Sequence, residues 1–241
     1  MPSGIISVAC TTACAPALAR GVQEESHDVT VKERFGPEAR ATLLELLVWR
    51  RDVRRFKKDE LPEGTVERLV RIACLAPSVG LSQPWRFVLV NSSFRRQAIR
   101  ASFETCNADA LSRQPHDRAA LYARLKLAGL DDAPCQFALF ADGATDKGHG
   151  LGRLTIPSTI NYSAVMAVHT LWLAARADGI GLGWVSILDP EIVSAALDVP
   201  PTWTFVGYFC MGYPLEDDDV PALEREGWES RCDPNSVLLV R

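Results

Sequence analysis

The sequence predicts an α+β fold, and three observations predict it. Helical and extended segments interleave without regular strand–helix repeats, which disfavours a doubly wound sheet. No Gly-x-Gly-x-x-Gly follows a predicted strand, so nothing points to a Rossmann unit. One long segment, Tyr162 to Ala177, is apolar nearly all round, with Val165, Met166, Val168, Leu171, Trp172 and Leu173. A helix of that kind is buried on most sides, and in a chain of 241 residues it suits a central position at a subunit interface.

The elements follow in order. Residues 1–35 show no hydrophobic period and read as a loose, disordered extension, leaving 36–241 as a single domain. A helix covers Pro37 to Val48, with Leu43, Leu44, Leu47 and Val48 at helical spacing. Pro62-Glu63 opens a second helix with proline in its first turn, where the missing N–H costs nothing. Val66, Leu69, Val70 and Ala73 form its inner stripe, and Pro77 stops it near Ala76. A loop rich in Pro, Ser and Gly then leads into a strand, Trp85 to Val90. Helical segments run from Ser93 to Leu130 with a break near Pro115, followed by a strand over Gln136 to Phe140 and a Gly-rich loop from Asp142 to Gly152. Asp178-Gly179 ends the central helix. Leu182 to Leu188 and Thr204 to Met211 read as strands. Val237 to Val240 reads as a short apolar strand of the kind that adds to a partner's sheet.

Composition narrows the function classes. Hydrophobic residues at 47% and charged residues at 23% are those of a soluble globular protein. A net charge of −4 argues against broad nucleic-acid binding, which needs a basic face. No apolar run reaches the roughly 18 residues of a membrane span. Seven scattered cysteines, an odd number, do not form a disulfide framework, and Cys10 and Cys14 lack a second pair or a histidine to complete a zinc site. The expectation is a reducing compartment, the cytoplasm, and no metal. Met1 to Gly21 has no basic n-region, so it reads as a loose extension or a start codon assigned too early, not as a secretory signal.

Chemistry concentrates in three places. Arg50-Arg51-Asp52-Val53-Arg54 packs three guanidinium groups and one carboxylate into five residues. Arginine forks suit a phosphate, whereas a carboxylate there would repel one. If the first helix continues through the cluster, Arg50 and Arg54 converge one turn apart, as do Arg51 and Arg54. The alternative is a charge-balanced, solvated helix end. In Pro77 to Trp85, Ser78, Gly80 and Ser82 permit close backbone approach, and Gln83 offers a donor and an acceptor to a flat heterocycle; a plain connecting loop is equally open. Gly179, Gly181 and Gly183 precede Ser186, which is either a site hydroxyl or a satisfied core serine. Arg225, Trp228 and Arg231 could extend an anion site.

These stretches, in this order, carry a resemblance. Arg-Arg-Asp-Val-Arg at 50–54, Ala-Pro-Ser-Val-Gly-Leu-Ser-Gln-Pro-Trp-Arg-Phe-Val at 76–88 and Gly-Trp-Val-Ser-Ile-Leu at 183–188 resemble the nitroreductase-like flavoproteins. Within them the chain is similar to the 5,6-dimethylbenzimidazole synthases, and Tyr122–Leu130, Leu171–Ala177 and Glu226–Trp228 fit the same pattern. Residues 152–159 depart from it, lacking a methionine before Pro157 and an acid after it.

The resemblance implies a mixed, mostly antiparallel sheet flanked by helices in an intertwined homodimer. It implies reduced FMN as substrate, dioxygen as co-substrate, and fragmentation to 5,6-dimethylbenzimidazole, the lower ligand of vitamin B12, and erythrose 4-phosphate. A separate flavin reductase would supply the reduced FMN. By the same resemblance Arg50, Arg51, Val53, Arg54, Ser78 and Arg225 would bind the flavin. Asp52 would be the essential acid or base, Ser186 would sit by the reactive edge of the ring, and Leu127 would lie in a lid. Neighbouring arginines favour ionised Asp52 while burial favours the neutral form, so its protonation state stays open. Two other functions remain: an NAD(P)H-dependent FMN nitroreductase, and a non-catalytic flavin-binding module.

Overall fold

Side-chain alternation along one central strand organises the molecule. Phe137, Leu139 and Ala141 point to one face of the sheet, and Ala138 and Phe140 to the other, as the period of two requires. All five are buried, so this strand needs cover on both sides. The computed structural model describes residues 35–241, and the expectations for the N-terminal extension, including Cys10 and Cys14, lie outside them.

The order of elements is α1 (Pro37–Trp49), α2 (Thr65–Ala73), β1 (Trp85–Leu89), α3 (Ser93–Ser112), α4 (His116–Tyr122), β2 (Cys135–Asp142), α5 (Thr159–Ala177), β3 (Gly181–Val185), α6 (Pro190–Leu197), β4 (Trp203–Gly212) and α7 (Ala222–Arg225). The strands pair antiparallel in the order β1-β2-β4-β3. A single parallel bridge joins Asp52 to Leu182 at the β3 edge. The fold is therefore α+β, as the interleaved pattern predicts.

Two cores form, one on each face. α2 and α5 cover the first, where Leu69, Ala73, Val168 and Leu171 pack on Phe137, Leu139 and Phe209. Ile99 of α3 and Val193 and Leu197 of α6 join Phe140, Tyr208 and Phe56 on the second. Leu171 is among the buried residues there, so Leu171→Ala is expected to cost about 2–5 kcal/mol. A fall in the urea midpoint with an unchanged slope would register it.

Several boundaries differ from the sequence expectations. α2 starts at Thr65, after a turn in which Thr65 N–H donates to Pro62 O at 3.1 Å. Helix ends at Tyr122, and 123–130 is irregular instead of helical. The reason is tertiary: Arg54 Nη1 donates to the Lys126 carbonyl at 3.1 Å, and Gly129 lies against the Phe56 ring, where a Cβ would come within 2.4 Å. β3 stops at Val185, short of Leu188. The predicted strand over Val237 to Val240 is not formed, and these residues are exposed. A strand needs a neighbour to take its ladder bonds, and this run has none among the described residues. α6 went unpredicted, although Asp189 caps its first turn and Pro190 opens it.

One face of α5 meets the core through Ala164, Ala167, Val168, Leu171 and Ala175. Tyr162, Val165 and Met166 on its other side are exposed within the single chain. α1 buries nothing: Leu43, Leu44, Leu47 and Val48 are all exposed. No helix among the described residues is long and apolar enough to cross a membrane.

Candidate active site

α1 ends at Trp49, and Arg50 has extended backbone (φ −70°, ψ 107°). The cluster 50–54 is therefore extended, and the one-turn convergence of Arg50 with Arg54 that a continuing helix would give does not occur. An extended chain alternates its side chains, so Asp52 and Arg54 share a side at a spacing of two. The chain is pulled straight by β3, where Val53 N–H donates to Leu182 O at 3.0 Å.

Asp52 is held at both carboxylate oxygens. Trp184 N–H donates to Oδ1 at 2.7 Å, and Arg54 Nε donates to Oδ2 at 2.9 Å. Its side chain keeps 30% of its exposure and Arg54 keeps 16%, so the pair is set into a wall and still reachable. Burial pushes the Asp52 carboxyl above the usual carboxylate range, outweighing the opposite pull of Arg54, the Trp184 N–H and Arg50.

The other arginines are oriented by protein acceptors. Arg51 donates from Nε and Nη2 to Asp219 O, at 2.8 and 2.5 Å, and from Nη1 to Arg50 O at 2.7 Å. Arg50 stacks on Trp172, its guanidinium carbon 4.8 Å from the ring centroid. Trp172 in turn donates its indole N–H to Arg51 O at 3.2 Å. Arg225 pairs with Asp218, and Arg176 with Asp217 at 2.7 Å. The acidic run 216–219 thus faces the arginines along the rim.

A cavity of about 340 Å³ lies between these groups. Arg51, Asp52, Val53, Arg54 and Arg225 line it, with Trp172 and the segment Arg124–Lys126. Its size falls in the range of small-molecule sites. Leu127 instead lines a smaller cavity of about 160 Å³, with Phe103 and Asn107, which shares Leu125 and Lys126 with the main one.

Ser78 and Ser186 do not line the main cavity. Ser186 follows directly on β3 and is exposed, so it is not a core serine. It lies two residues beyond Trp184, or about 7 Å along the chain. Ser78 Oγ accepts from Gln83 N–H at 3.1 Å, and the next residue's N–H donates to Ser163 Oγ at 3.0 Å. Ser163 is nine residues before Trp172 on α5, so the Ser78 loop is about 14 Å along the helix from the arginines. Trp172, Arg124, Lys126 and the acidic run went unnoticed as site residues in the sequence. The acidic run was visible as four successive acids, Glu216 to Asp219, and the others carry no local signal.

The described residues hold no group of three or more acids, histidines or cysteines placed to bind a metal ion. What the arrangement offers is a fixed carboxylate beside guanidinium donors, which can bind an anion and move a proton next to it.

Comparison with known proteins gives the family and the fold. The model of the nitroreductase family matches residues 47–213. A 5,6-dimethylbenzimidazole synthase of Rhodospirillum rubrum is 59% identical over 197 residues, covering 82% of this chain and 93% of that protein. A second, from Rhodobacter capsulatus, is 47% identical over 195 residues, covering 81% and 94%. A crystal structure of oxidised iodotyrosine deiodinase bound to FMN and 3-iodo-L-tyrosine superposes with a TM-score of 0.64 at 23% identity, covering 83% of this chain and 97% of that one. That last likeness concerns the fold.

Proposed function

Because the chain belongs to the nitroreductase family, with 5,6-dimethylbenzimidazole synthases among its relatives, we propose that it fragments reduced FMN with dioxygen to 5,6-dimethylbenzimidazole and erythrose 4-phosphate. The observation that carries this reading is the Asp52 carboxylate, fixed by Arg54 and the Trp184 N–H in the wall of an arginine-lined cavity. A cofactor site that merely holds an anion has no use for that carboxylate, whose charge opposes binding.

The residues fit a flavin mononucleotide. Arg51, Arg54 and Arg225 supply guanidinium donors for a phosphate, and Arg50 on Trp172 gives a flat cationic surface beside them. Reduced FMN, when bound, supplies the electrons that activate dioxygen and is itself consumed. Arg51, Arg54 and Arg225 orient it through the phosphate, and Val53 packs beside them. Asp52 acts as a base, taking a proton near the ribityl chain, while Arg54 holds its Oδ2. Leu127 belongs to the 123–130 segment, which closes the pocket against water as a lid. Ser186, beyond the Trp184 contact, serves the reactive edge of the ring.

The protein works as a homodimer, with reduced FMN delivered by a separate flavin reductase in the cytoplasm. α1 and the outer face of α5 expose apolar side chains that a second copy would cover, and the exposed run Val237–Val240 would find its ladder on that copy. Ser78 then joins a site completed across the interface, which accounts for its separation from the arginines of its own chain. Leu44→Asp on α1 is expected to weaken self-association by about ten- to a hundredfold, since burying such a side chain contributes about 1.5–3 kcal/mol. Sedimentation velocity across a dilution series reads this directly.

One incubation tests the function. Purified protein is given reduced FMN under air and the products are identified by mass. Formation of 5,6-dimethylbenzimidazole supports the reading. Rapid NADPH oxidation with retained FMN and no benzimidazole would identify a nitroreductase instead, and tight binding without turnover a flavin-binding module.

A further inference from the structure

Gly181 lines the cavity with backbone alone and Gly183 does not line it, yet both lie under the segment that carries Asp52. We propose that they are positioning residues for the Asp52 carboxylate, acting through Val53; the inference rests on the role given to Asp52 above.

The constraint is steric. A Cβ placed on Gly183 would come within 2.0 Å of the Val53 carbonyl oxygen. One on Gly181 would come within 2.7 Å of Val53 Cγ2 and 3.0 Å of its Cβ. Both glycines are buried in β3, so the requirement is close approach of another chain. On the opposite edge Gly181 pairs with Gly212 and Gly183 with Cys210 of β4, so β3 itself is held in register. A methyl group at 183 can be accommodated only by lifting 52–53 away from the strand.

That lift would break a specific contact. Val53 N–H donates to Leu182 O at 3.0 Å. In a continuing parallel ladder the Trp184 N–H would meet the next main-chain carbonyl. Here it meets Asp52 Oδ1 at 2.7 Å instead. The carboxylate closes a ladder that stops after one rung, and its position is set by how flat the segment lies on the two glycines.

The two contacts differ in kind, and the test exploits this. Gly181 presses on a side chain that Val53→Ala would shorten. Gly183 presses on a main-chain oxygen that no side-chain change removes. Gly183→Ala is expected to lower benzimidazole formation about 100-fold, the scale of an ångström-sized misplacement. It is also expected to move the acid limb of the pH–rate profile upward, because the carboxyl loses the Trp184 N–H. Val53→Ala added to Gly183→Ala should restore neither. Gly181→Ala should cost less, and adding Val53→Ala, which removes the Cγ2 contact at 2.7 Å and keeps the Cβ at 3.0 Å, should restore most of the loss.

An unchanged rate and pH limb in Gly183→Ala, or its rescue by Val53→Ala, would overturn the proposal. So would a Gly181→Ala defect that Val53→Ala leaves undiminished, and this pair decides the matter if Gly183→Ala does not fold. Asp52→Asn run in parallel separates the two claims. If it turns over like the parent protein, the catalytic reading fails. The positioning claim is then read from FMN affinity by quenching of flavin fluorescence, where Gly183→Ala should bind about tenfold more weakly and Gly181→Ala should be rescued as before, because Arg54 moves with Asp52.

Discussion

Asp52→Asn is expected to abolish most benzimidazole formation, by about 10²–10⁴-fold, the range of a positioned acid or base. FMN affinity should stay within a few-fold of the parent protein. The amide carbonyl can still accept the Trp184 N–H now bound by Oδ1, its NH2 group releases the Arg54 Nε donor toward the phosphate, and loss of a negative charge does not weaken binding of a phosphate. Single-turnover assays with reduced FMN under air, alongside flavin titration, give the two numbers separately. A parallel loss of affinity and rate would assign Asp52 to binding instead.

The direction of the Asp52 shift adds a pH signature. Burial raises its carboxyl above the usual value of about 4. A base with a raised value loses activity on acidification through a limb above the ordinary carboxylate range. For stability the sign is opposite: the protonated form suits the folded site. This group's contribution is fully present below pH of about 4 and is lost as pH rises through the raised folded value. Asp52→Asn should therefore remove the acid limb and flatten that part of the stability profile, both measurable by titration.

The second large effect is expected at Arg54. Arg54→Met removes the partner of Asp52 Oδ2, the tie to the Lys126 carbonyl and one phosphate donor at once. Hydrogen bonds to charged groups contribute about 1.5–3 kcal/mol, so FMN affinity should fall about ten- to a hundredfold. Arg54 is also the foremost influence holding the Asp52 pKa down, so the acid limb should move to higher pH. Isothermal titration and the pH–rate profile check both outcomes. Arg54→Lys should recover part of the affinity and little of the geometry, because an ammonium lacks the planar fork.

What made the site visible in the sequence was a conflict of charge. Asp52 stands out because a carboxylate among three arginines contradicts simple anion binding, and that is a property of five adjacent residues. Its geometry was not legible there. The helix through Leu43–Trp49 gives no local reason to stop before Arg50, and the one-turn convergence that a continuing helix would give 50–54 is absent because β3 captures Val53. Irregular structure at 123–130 has the same origin: local pattern favours helix, and Arg54 and Phe56 overrule it. Ser186 shows the converse, since a serine after an apolar strand reads as buried until the strand is seen to end at Val185.

Local periodicity was enough for the α+β class and for β1, β2 and β4 within a residue or two, and it marked α5 as a helix while overstating its burial, since Tyr162, Val165 and Met166 are exposed within the chain. It sufficed because helix and strand periods are written in neighbours. Which groups meet is a different kind of information. The hydrogen bond from Trp184 to Asp52 joins positions 132 residues apart, and it fixes the carboxylate around which the proposed chemistry turns. Only the packing of the 50–54 segment on a glycine-floored strand decided that contact, because close approach of two backbones is set by the space between them and leaves no period in either sequence.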